Sequence, residues 1–149
     1  MIRITPAHPE DRDALHRLLT RSWLETWAPH LPADAVARFH AADPVAAELD
    51  AHLQDILVAR LDGRVAGMLA VVGETLESIH VDDDFWGKGV GTALFRHAED
   101  LGARRLEVRA FNARAIAFYQ ARGWVETERR MATEMGVPAE TLVMRGPEA

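Results

Sequence analysis

The sequence predicts a mixed α/β fold in which a mostly antiparallel twisted sheet of about seven strands is flanked by helices. Residues 56–81 form three short apolar runs separated by turn residues, which is typical of consecutive antiparallel strands. Residues with helical spacing occur before and after these runs. A glycine-rich segment, residues 87–91, then joins the third run to a helix and a further strand, the order of a βαβ crossover.

The composition is that of an ordinary globular protein. The chain has 149 residues, of which 48% are hydrophobic and 27% are charged, so we expect one domain over residues 1–149. No apolar run approaches the roughly 20 residues that a membrane helix needs. Residues 1–6 predict a short strand rather than the apolar core of a signal peptide. We therefore expect a cytoplasmic protein with no membrane segment.

The residue types present exclude several classes of site. The chain contains no cysteine, which excludes disulfides, thiolate zinc sites and an acyl-cysteine intermediate. Its formal net charge of −6 disfavours a nucleic-acid partner, and its clustered arginines, Arg104 with Arg105 and Arg129 with Arg130, form pairs rather than a stripe. None of its histidines lies three to five residues from another, so we expect no metal site.

Helices are predicted after the first strand. Pro9 can begin a helix whose first turn is acidic, and an acidic first turn is favourable at the positive end of the helix. Prolines then interrupt the helical pattern at residues 29–32 and at Pro44. We expect helical segments over residues 9–27 and 34–39, resuming after residue 44 up to residue 53.

Three aromatic side chains lie close together at the first of these interruptions. Trp23, Trp27 and His30 could line a substrate pocket there. Large aromatic residues at helical spacing more often belong to a hydrophobic core, so both interpretations stay open.

Turn residues delimit the remaining elements. Asp62-Gly63 between apolar runs predicts a hairpin, and Gly73-Glu74 predicts a second turn. Gly102 and Gly123 each follow a helical segment, as helix-ending glycines do. We expect strands at residues 1–6, 56–61, 65–72, 75–81, 103–109, 124–131 and 140–144, with residues 136–138 joining the last two, and helices at residues 90–101 and 113–122.

The segment from Trp86 to Gly91 has the features of a phosphate cradle. Its alternate glycines let backbone amides approach a ligand, and the helix that follows offers unpaired N–H groups at its positive end. The spacing excludes two competing phosphate motifs. A dinucleotide fingerprint needs glycine where this chain has Thr92 or Leu94, and a Walker loop needs Ser or Thr after Lys88. The helix is predicted by an apolar stripe at Val90, Leu94, Ala98 and Leu101.

A second motif begins directly after the fifth predicted strand. Asn112 is a good helix N-cap, and it opens the run Asn112-Ala113-Arg114-Ala115-Ile116-Ala117-Phe118-Tyr119-Gln120-Ala121-Arg122-Gly123-Trp124. Together with Trp86-Gly87-Lys88-Gly89-Val90-Gly91, this run resembles the paired motifs of the GNAT superfamily of N-acetyltransferases. The element order resembles that family along nearly the whole chain. One residue departs from its pattern, because Trp86 stands where the family usually has Gln or Arg.

The resemblance implies a GNAT fold in which the fourth and fifth strands splay apart to hold acetyl-CoA, the acetyl donor. It implies direct transfer to a primary amine, carried by a small molecule or a protein N-terminus, and it suggests a homodimer. The cofactor-binding residues that it implies are Ile79, His80, Val81, Trp86, Gly87, Lys88, Gly89, Val90, Gly91, Thr92, Asn112, Ala115, Phe118 and Tyr119. The candidate substrate pocket comprises Trp23, Trp27, His30 and Glu77.

The chemistry of amine acetylation adds its own requirements. An amine with a pKa near ~10 is protonated at pH 7, so a base must take its proton before it attacks a thioester. Glu77 on the fourth strand is the candidate base, and its alternative role is that of a solvent-facing carboxylate. Tyr119, the only tyrosine, is the candidate proton donor to the thiolate, or simply a packed aromatic. His80 is an alternative base, although strand alternation would point it away from Glu77.

Two other readings of the motifs stay open. The chain could be an acyl-CoA-binding or regulatory module that has lost catalysis, a possibility that Trp86, in place of the usual Gln or Arg, leaves open. Alternatively, the glycine-rich segment could be a plain strand-to-helix turn that binds nothing, but the second motif disfavours this.

Overall fold

A computed structural model of the chain describes residues 1–147. Its strands are β1 (Ile2–Pro6), β2 (Ile56–Leu61), β3 (Arg64–Val72), β4 (Thr75–Val81), β5 (Arg105–Arg109), β6 (Val125–Glu134) and β7 (Val137–Arg145). Its α-helices are α1 (Arg12–Thr26), α2 (Ala33–Ala42), α3 (Pro44–His52), α4 (Val90–Asp100) and α5 (Ala113–Gln120). The strands form one sheet in the order β1-β2-β3-β4-β5-β7-β6. The predicted α/β architecture is therefore confirmed.

The pairing of β4 with β5 differs from every other pairing in the sheet. The other neighbours are antiparallel, whereas β4 and β5 are parallel and are joined by the crossover helix α4. Their ladder contains only two residue pairs, Thr75 with Arg105 and Leu76 with Leu106. Beyond these pairs the two strands separate, as predicted, and a gap opens within the sheet.

Helices bury apolar side chains on both faces of the sheet. On one face, the side chains of α4 and α5 join those of the central strands in a core that includes Leu94, Phe95 and Trp124. On the other face, α1 and α3 cover a second core that includes Leu15 and Leu49. Because both faces of the central strands are covered, the gap between β4 and β5 lies between two packed layers.

The buried face of α4 differs from its predicted stripe at one position. Val90, Leu94 and Ala98 are buried as expected, but Leu101 is 50% exposed. The helix ends at Asp100, so Leu101 lies beyond the last helical turn and leaves the stripe. Phe95, which is 1% exposed, is instead the further large apolar side chain that α4 buries.

Two boundaries also differ from those expected. Residues Pro9–Asp11 form a separate 3-10 turn before α1, and Asp11 is fixed there by hydrogen bonds from Arg60 Nη1 and Nη2 at 2.9 and 2.6 Å. The Arg60 guanidinium lowers the pKa of this carboxyl group. The last hairpin turns at Met135 and Gly136, both of which have positive φ, so that Pro138 lies inside β7 rather than in the turn.

None of the helices in residues 1–147 is long and apolar enough to cross a membrane.

A close contact between α4 and the sheet generates the first prediction. A Cβ atom at Gly67 of β3 would lie 2.8 Å from the His80 carbonyl oxygen and 2.9 Å from Leu94 Cδ1. Gly67→Ala should therefore destabilise the fold by about 1–3 kcal/mol through overpacking, measured by urea unfolding. Gly91→Ala is the matched control, because its Cβ would meet no atom closer than 3.6 Å. Equal stability of the two variants would contradict this account of the packing.

Candidate functional site

The gap between β4 and β5 forms a cleft of about 730 Å³. One half is bordered by the glycine-rich segment and the starts of α4 and α5, and the other half by the end of α1 and by Glu134 at the end of β6. The residues predicted from sequence that line this cleft are Trp27, Glu77, Ile79, His80, Val81, Trp86, Gly87, Gly89, Val90, Gly91, Thr92, Asn112, Ala115, Phe118 and Tyr119.

Three residues predicted for the site do not line this cleft. Lys88 is exposed on the glycine-rich segment. Trp23 is 7% exposed and stacks on Phe39 with ring centroids 3.8 Å apart. His30 stacks on Phe111 at 4.5 Å beside a separate, smaller hollow.

The glycine-rich segment leaves open space beside the start of α4. Gly87 and Gly89 have φ of +79° and +82°, a left-handed conformation that other residues adopt at a cost. No atom lies within 4 Å of a Cβ built at either position. The first N–H groups of α4 have no partner within the helix, so this surface offers donors to an anionic ligand.

The end of β4 presents backbone groups to the gap. Asp82 N–H donates to the Ala66 carbonyl at 2.8 Å, and Val81 and Ile79 pair with Gly67 and Leu69 of β3. Hydrogen bonding alternates along an antiparallel strand. The N–H and C=O groups of Ile79 and Val81 therefore point away from β3 and towards the gap.

Glu77 lies at an irregularity of β4. Ala70 pairs with Ser78 and Val71 pairs with Leu76, so Glu77 is an extra residue in the β4 ladder, as in a β-bulge. Its side chain is exposed. Glu77 and His80 both line the cleft, because the extra residue at Glu77 interrupts the strict alternation that predicts opposite faces for them.

His80 is held as a neutral imidazole. Its Nδ1 lies 2.7 Å from the Ser22 hydroxyl oxygen of α1, and its ring packs near Trp27. Burial among these neighbours lowers the pKa of His80 to about 4. At pH 7 the imidazole is therefore neutral, and one of its two ring nitrogens is a hydrogen-bond acceptor while the other is a donor.

Tyr119 lines the cleft with a side chain that is largely buried. It is 8% exposed and packs against Phe95 and Phe118. Burial raises the pKa of Tyr119 to about 12, so its hydroxyl stays protonated and acts as a hydrogen-bond donor. Asn112 fixes the start of α5 nearby, because its side-chain oxygen accepts a hydrogen bond from Ala115 N–H at 3.2 Å.

Charged and polar groups from distant segments meet in the other half of the cleft. Glu134 Oε1 lies 3.9 Å from Arg109 Nη2, while Arg109 Nη1 donates to the Thr141 hydroxyl at 2.7 Å. Burial raises the pKa of Glu134. The Trp27 indole N–H is buried and has no hydrogen-bond partner among residues 1–147. This half can therefore hold a polar ligand.

Sequence reasoning did not assign several cleft residues to the site. Ser22 lies at helical spacing from Leu15, Leu18 and Leu19, so the sequence alone places it on an apolar stripe, and only its distance from His80 reveals a polar role. Arg114 was visible inside the second motif, directly after the N-cap and Ala113. Glu134, by contrast, is one of the acidic residues that we expect from the sequence near an acceptor entrance, and it lines the cleft from the end of β6.

Trp86 bridges β4 and α5 at the edge of the cleft. Its indole Nε1 donates a hydrogen bond to the Val81 carbonyl at 3.2 Å, and the Arg114 guanidinium carbon lies 3.6 Å from the centre of its ring. Trp86 nevertheless remains 47% exposed.

Comparison with known proteins identifies one family that this sequence matches. The family model described as "Acetyltransferase (GNAT) family" matches residues 12–124. The sequence is 30% identical over 77 residues to peptidyl-lysine N-acetyltransferase YjaB of Salmonella typhimurium, covering 51% of this chain and 53% of that protein. It is 44% identical over 62 residues to the ribosomal protein bS18-alanine N-acetyltransferase of Escherichia coli, covering 38% and 42%.

The similarity to these curated relatives is thus confined to about half of their length. A solved structure shares the fold over more of the chain: PaiA N-acetyltransferase from Thermoplasma acidophilum, in complex with coenzyme A, covers 99% of each chain with a TM-score of 0.73 at 20% identity.

The depressed pKa of His80 generates a prediction about stability. Its folded pKa of about 4 lies below the reference value of 6.5, so the unfolded chain binds more protons between these values. The contribution of His80 to stability is complete above pH 6.5 and is lost as the pH falls towards 4. His80→Gln should therefore reduce the fall in unfolding free energy across this interval, measured by urea unfolding at several pH values. The control is His40→Gln, at an exposed histidine, which should show the same fall in unfolding free energy as wild type. If wild type and both variants show the same dependence of unfolding free energy on pH, His80 does not have a lowered pKa.

Proposed function

The chain belongs to the acetyltransferase (GNAT) family, and we propose that it transfers an acetyl group from acetyl-CoA directly to a primary amine. The observation that carries this proposal is the cleft between β4 and β5, which is bordered by both motif segments. The cleft is lined by α1 from one face of the sheet and by α4 and α5 from the other, so two reactants can reach the same backbone edge from opposite sides. Direct transfer also agrees with the absence of cysteine from the sequence.

The cofactor half of the cleft suits the groups of coenzyme A. Acetyl-CoA supplies the acetyl group as an activated thioester. The backbone groups of Ile79 and Val81 face the gap and can bond an extended amide-containing chain, as an additional strand would. The open space beside Gly89 and the start of α4 gives phosphates access to backbone N–H groups.

A base is needed in the acceptor half because the attacking amine must lose a proton. We assign this role to Glu77, which is exposed to the cleft and can take the proton directly or through water. His80 is the alternative base, since its imidazole is neutral at pH 7. A pKa of about 4 makes it a weak base, which favours Glu77 for an amine with a pKa near ~10.

Tyr119 interacts with the leaving thiolate in this proposal. A hydroxyl with a pKa of about 12 is a weaker acid than a thiol, so it is a poor donor of a full proton to the leaving thiolate. Tyr119 therefore stabilises the thiolate by a hydrogen bond, and solvent or the proton released by the amine completes the product.

The acceptor is an amine of a small molecule or of a protein N-terminus. Glu77 provides negative charge in the acceptor half, which suits a cationic amine, whereas the carboxylate of Glu134 there is paired with Arg109. The names of the relatives support amino groups of proteins as one class, because they specify a lysine and an N-terminal alanine acceptor. A homodimer is also part of the proposal, suggested by the resemblance alone.

A non-catalytic acyl-CoA-binding module is the second candidate function. Two measurements separate it from the enzyme. Acetyl-CoA at a hundred times its dissociation constant should raise the unfolding free energy by about 2.7 kcal/mol for either function, detected as a rise in melting temperature. Release of free CoA thiol in the presence of a broad amine panel should occur only for the enzyme. No thermal shift at saturating acetyl-CoA would reject both functions.

The assignment of Glu77 generates a kinetic prediction. With an acceptor identified by the amine panel, Glu77→Gln should lower kcat by about 10²- to 10⁴-fold, because the base is lost. The rate should recover partly at high pH, where solvent deprotonates more of the amine. Glu74→Gln is the matched control, since Glu74 is an exposed carboxylate just before β4 whose only close cation is Arg145 at 3.3 Å among residues 1–147. Turnover of Glu77→Gln equal to that of the control would exclude Glu77 as the base.

A further inference from the structure

We propose that Arg114 binds a phosphate group of the acyl-CoA donor and that the exposed indole of Trp86 is the platform that holds its guanidinium in position. This inference rests on the proposed function, to which it adds a residue that determines selectivity for the phosphorylated donor. It starts from the stacked pair at the edge of the cleft, where the Arg114 guanidinium carbon lies 3.6 Å from the centre of the Trp86 ring.

Arg114 is the arginine of the cleft whose charge is not neutralised by a carboxylate. Three arginines line the cleft. Arg105 lies 2.9 Å from Glu107, and Arg109 lies 3.9 Å from Glu134. Within residues 1–147, Arg114 has no carboxylate within 4.0 Å, so its charge is available to an anionic ligand.

The acidic residues just before Trp86 do not change this conclusion. Asp83 and Asp84 both face Arg21, each at 3.6 Å, and Asp84 also lies 3.8 Å from Arg64. Their negative charge is therefore directed to other cations and leaves that of Arg114 unpaired.

The position of Arg114 is unfavourable for the helix that carries it. It lies in the first turn of α5, two residues after the N-cap Asn112, where the helix dipole disfavours a cation. Trp86 is likewise a large apolar side chain that remains 47% exposed. The helix dipole at Arg114 and the exposure of Trp86 both oppose stability, which favours a role of the pair in ligand binding.

The stack directs the guanidinium towards the phosphate-binding half of the cleft. Trp86 directly precedes the glycine-rich segment, where the space around Gly87 and Gly89 is open beside the start of α4. The indole is fixed in turn by its hydrogen bond to the Val81 carbonyl. Because planar guanidinium groups stack on indoles and still donate hydrogen bonds at their edges, Arg114 can bond a phosphate without leaving Trp86.

Calorimetric titration with coenzyme A tests the proposal without requiring an acceptor. Arg114→Gln should weaken CoA binding about 10- to 100-fold, the range expected for losing a charge-assisted hydrogen bond. It should also reduce the slope of log Kd against log salt concentration. Arg96→Gln is the matched control, because Arg96 is exposed on α4 and does not line the cleft; it should bind CoA as wild type does.

Donor fragments show which phosphate is bound and test the role of the platform. Pantetheine, which has no phosphate, should bind wild type and Arg114→Gln within about twofold of each other. If wild type and Arg114→Gln also bind 3′-dephospho-CoA with equal affinity, Arg114 binds the 3′-phosphate. If Arg114→Gln binds 3′-dephospho-CoA more weakly than wild type does, Arg114 binds the pyrophosphate. Trp86→Ala should weaken CoA binding in the wild-type background and have little further effect in Arg114→Gln, because the platform acts through the guanidinium.

The outcomes separate this inference from the function on which it rests. Failure of wild type to bind CoA would reject the proposed function. Normal CoA binding by wild type with unchanged affinity in Arg114→Gln would reject this inference alone, as would an equal loss for CoA and pantetheine. A lower melting temperature of Arg114→Gln with unchanged CoA affinity would show that the stacked pair serves only stability.

Discussion

The site depends on one constraint, the early end of the parallel ladder between β4 and β5. After two residue pairs the strands separate, and the backbone groups of Ile79 and Val81 are left facing a gap rather than a neighbouring strand. Backbone polar groups need partners, and the Trp86 indole already bonds one of them, the Val81 carbonyl. An extended ligand with amide groups would supply the others. The same interruption that weakens the sheet thus creates its binding edge.

Burial beside this gap shifts the pKa of two titratable groups that line the cleft. It lowers the pKa of His80 to about 4 and raises the pKa of Tyr119 to about 12. These shifts have opposite directions because burial penalises the charged form, which is the cation for histidine and the anion for tyrosine. Both groups are therefore neutral at pH 7, and the formal charges of the cleft belong to residues such as Glu77 and Arg114.

Much of the fold could be predicted from the sequence because local signals agree with the global arrangement. The hairpin at Asp62-Gly63, the Asn112 cap and the glycine-rich segment each specify a local conformation with few alternatives. Local reasoning was less accurate where an element ends. Leu101 fits the apolar spacing of α4, but the helix stops at Asp100, and spacing alone does not reveal a missing turn. The last hairpin likewise turns at Met135 and Gly136, before the proline that suggested a later turn.

The sequence by itself determined the family resemblance, the order of the elements and the two segments that border the cleft, because these depend on residues close together in the chain. Only the tertiary structure decided which distant side chains meet there. Ser22 reaches His80 across 58 residues, and Arg114 reaches Trp86 across the edge of the cleft. Such meetings depend on strand register, on the irregularity at Glu77 and on the angle at which two strands separate. These are set by packing over the whole sheet, and no short segment of the sequence encodes them.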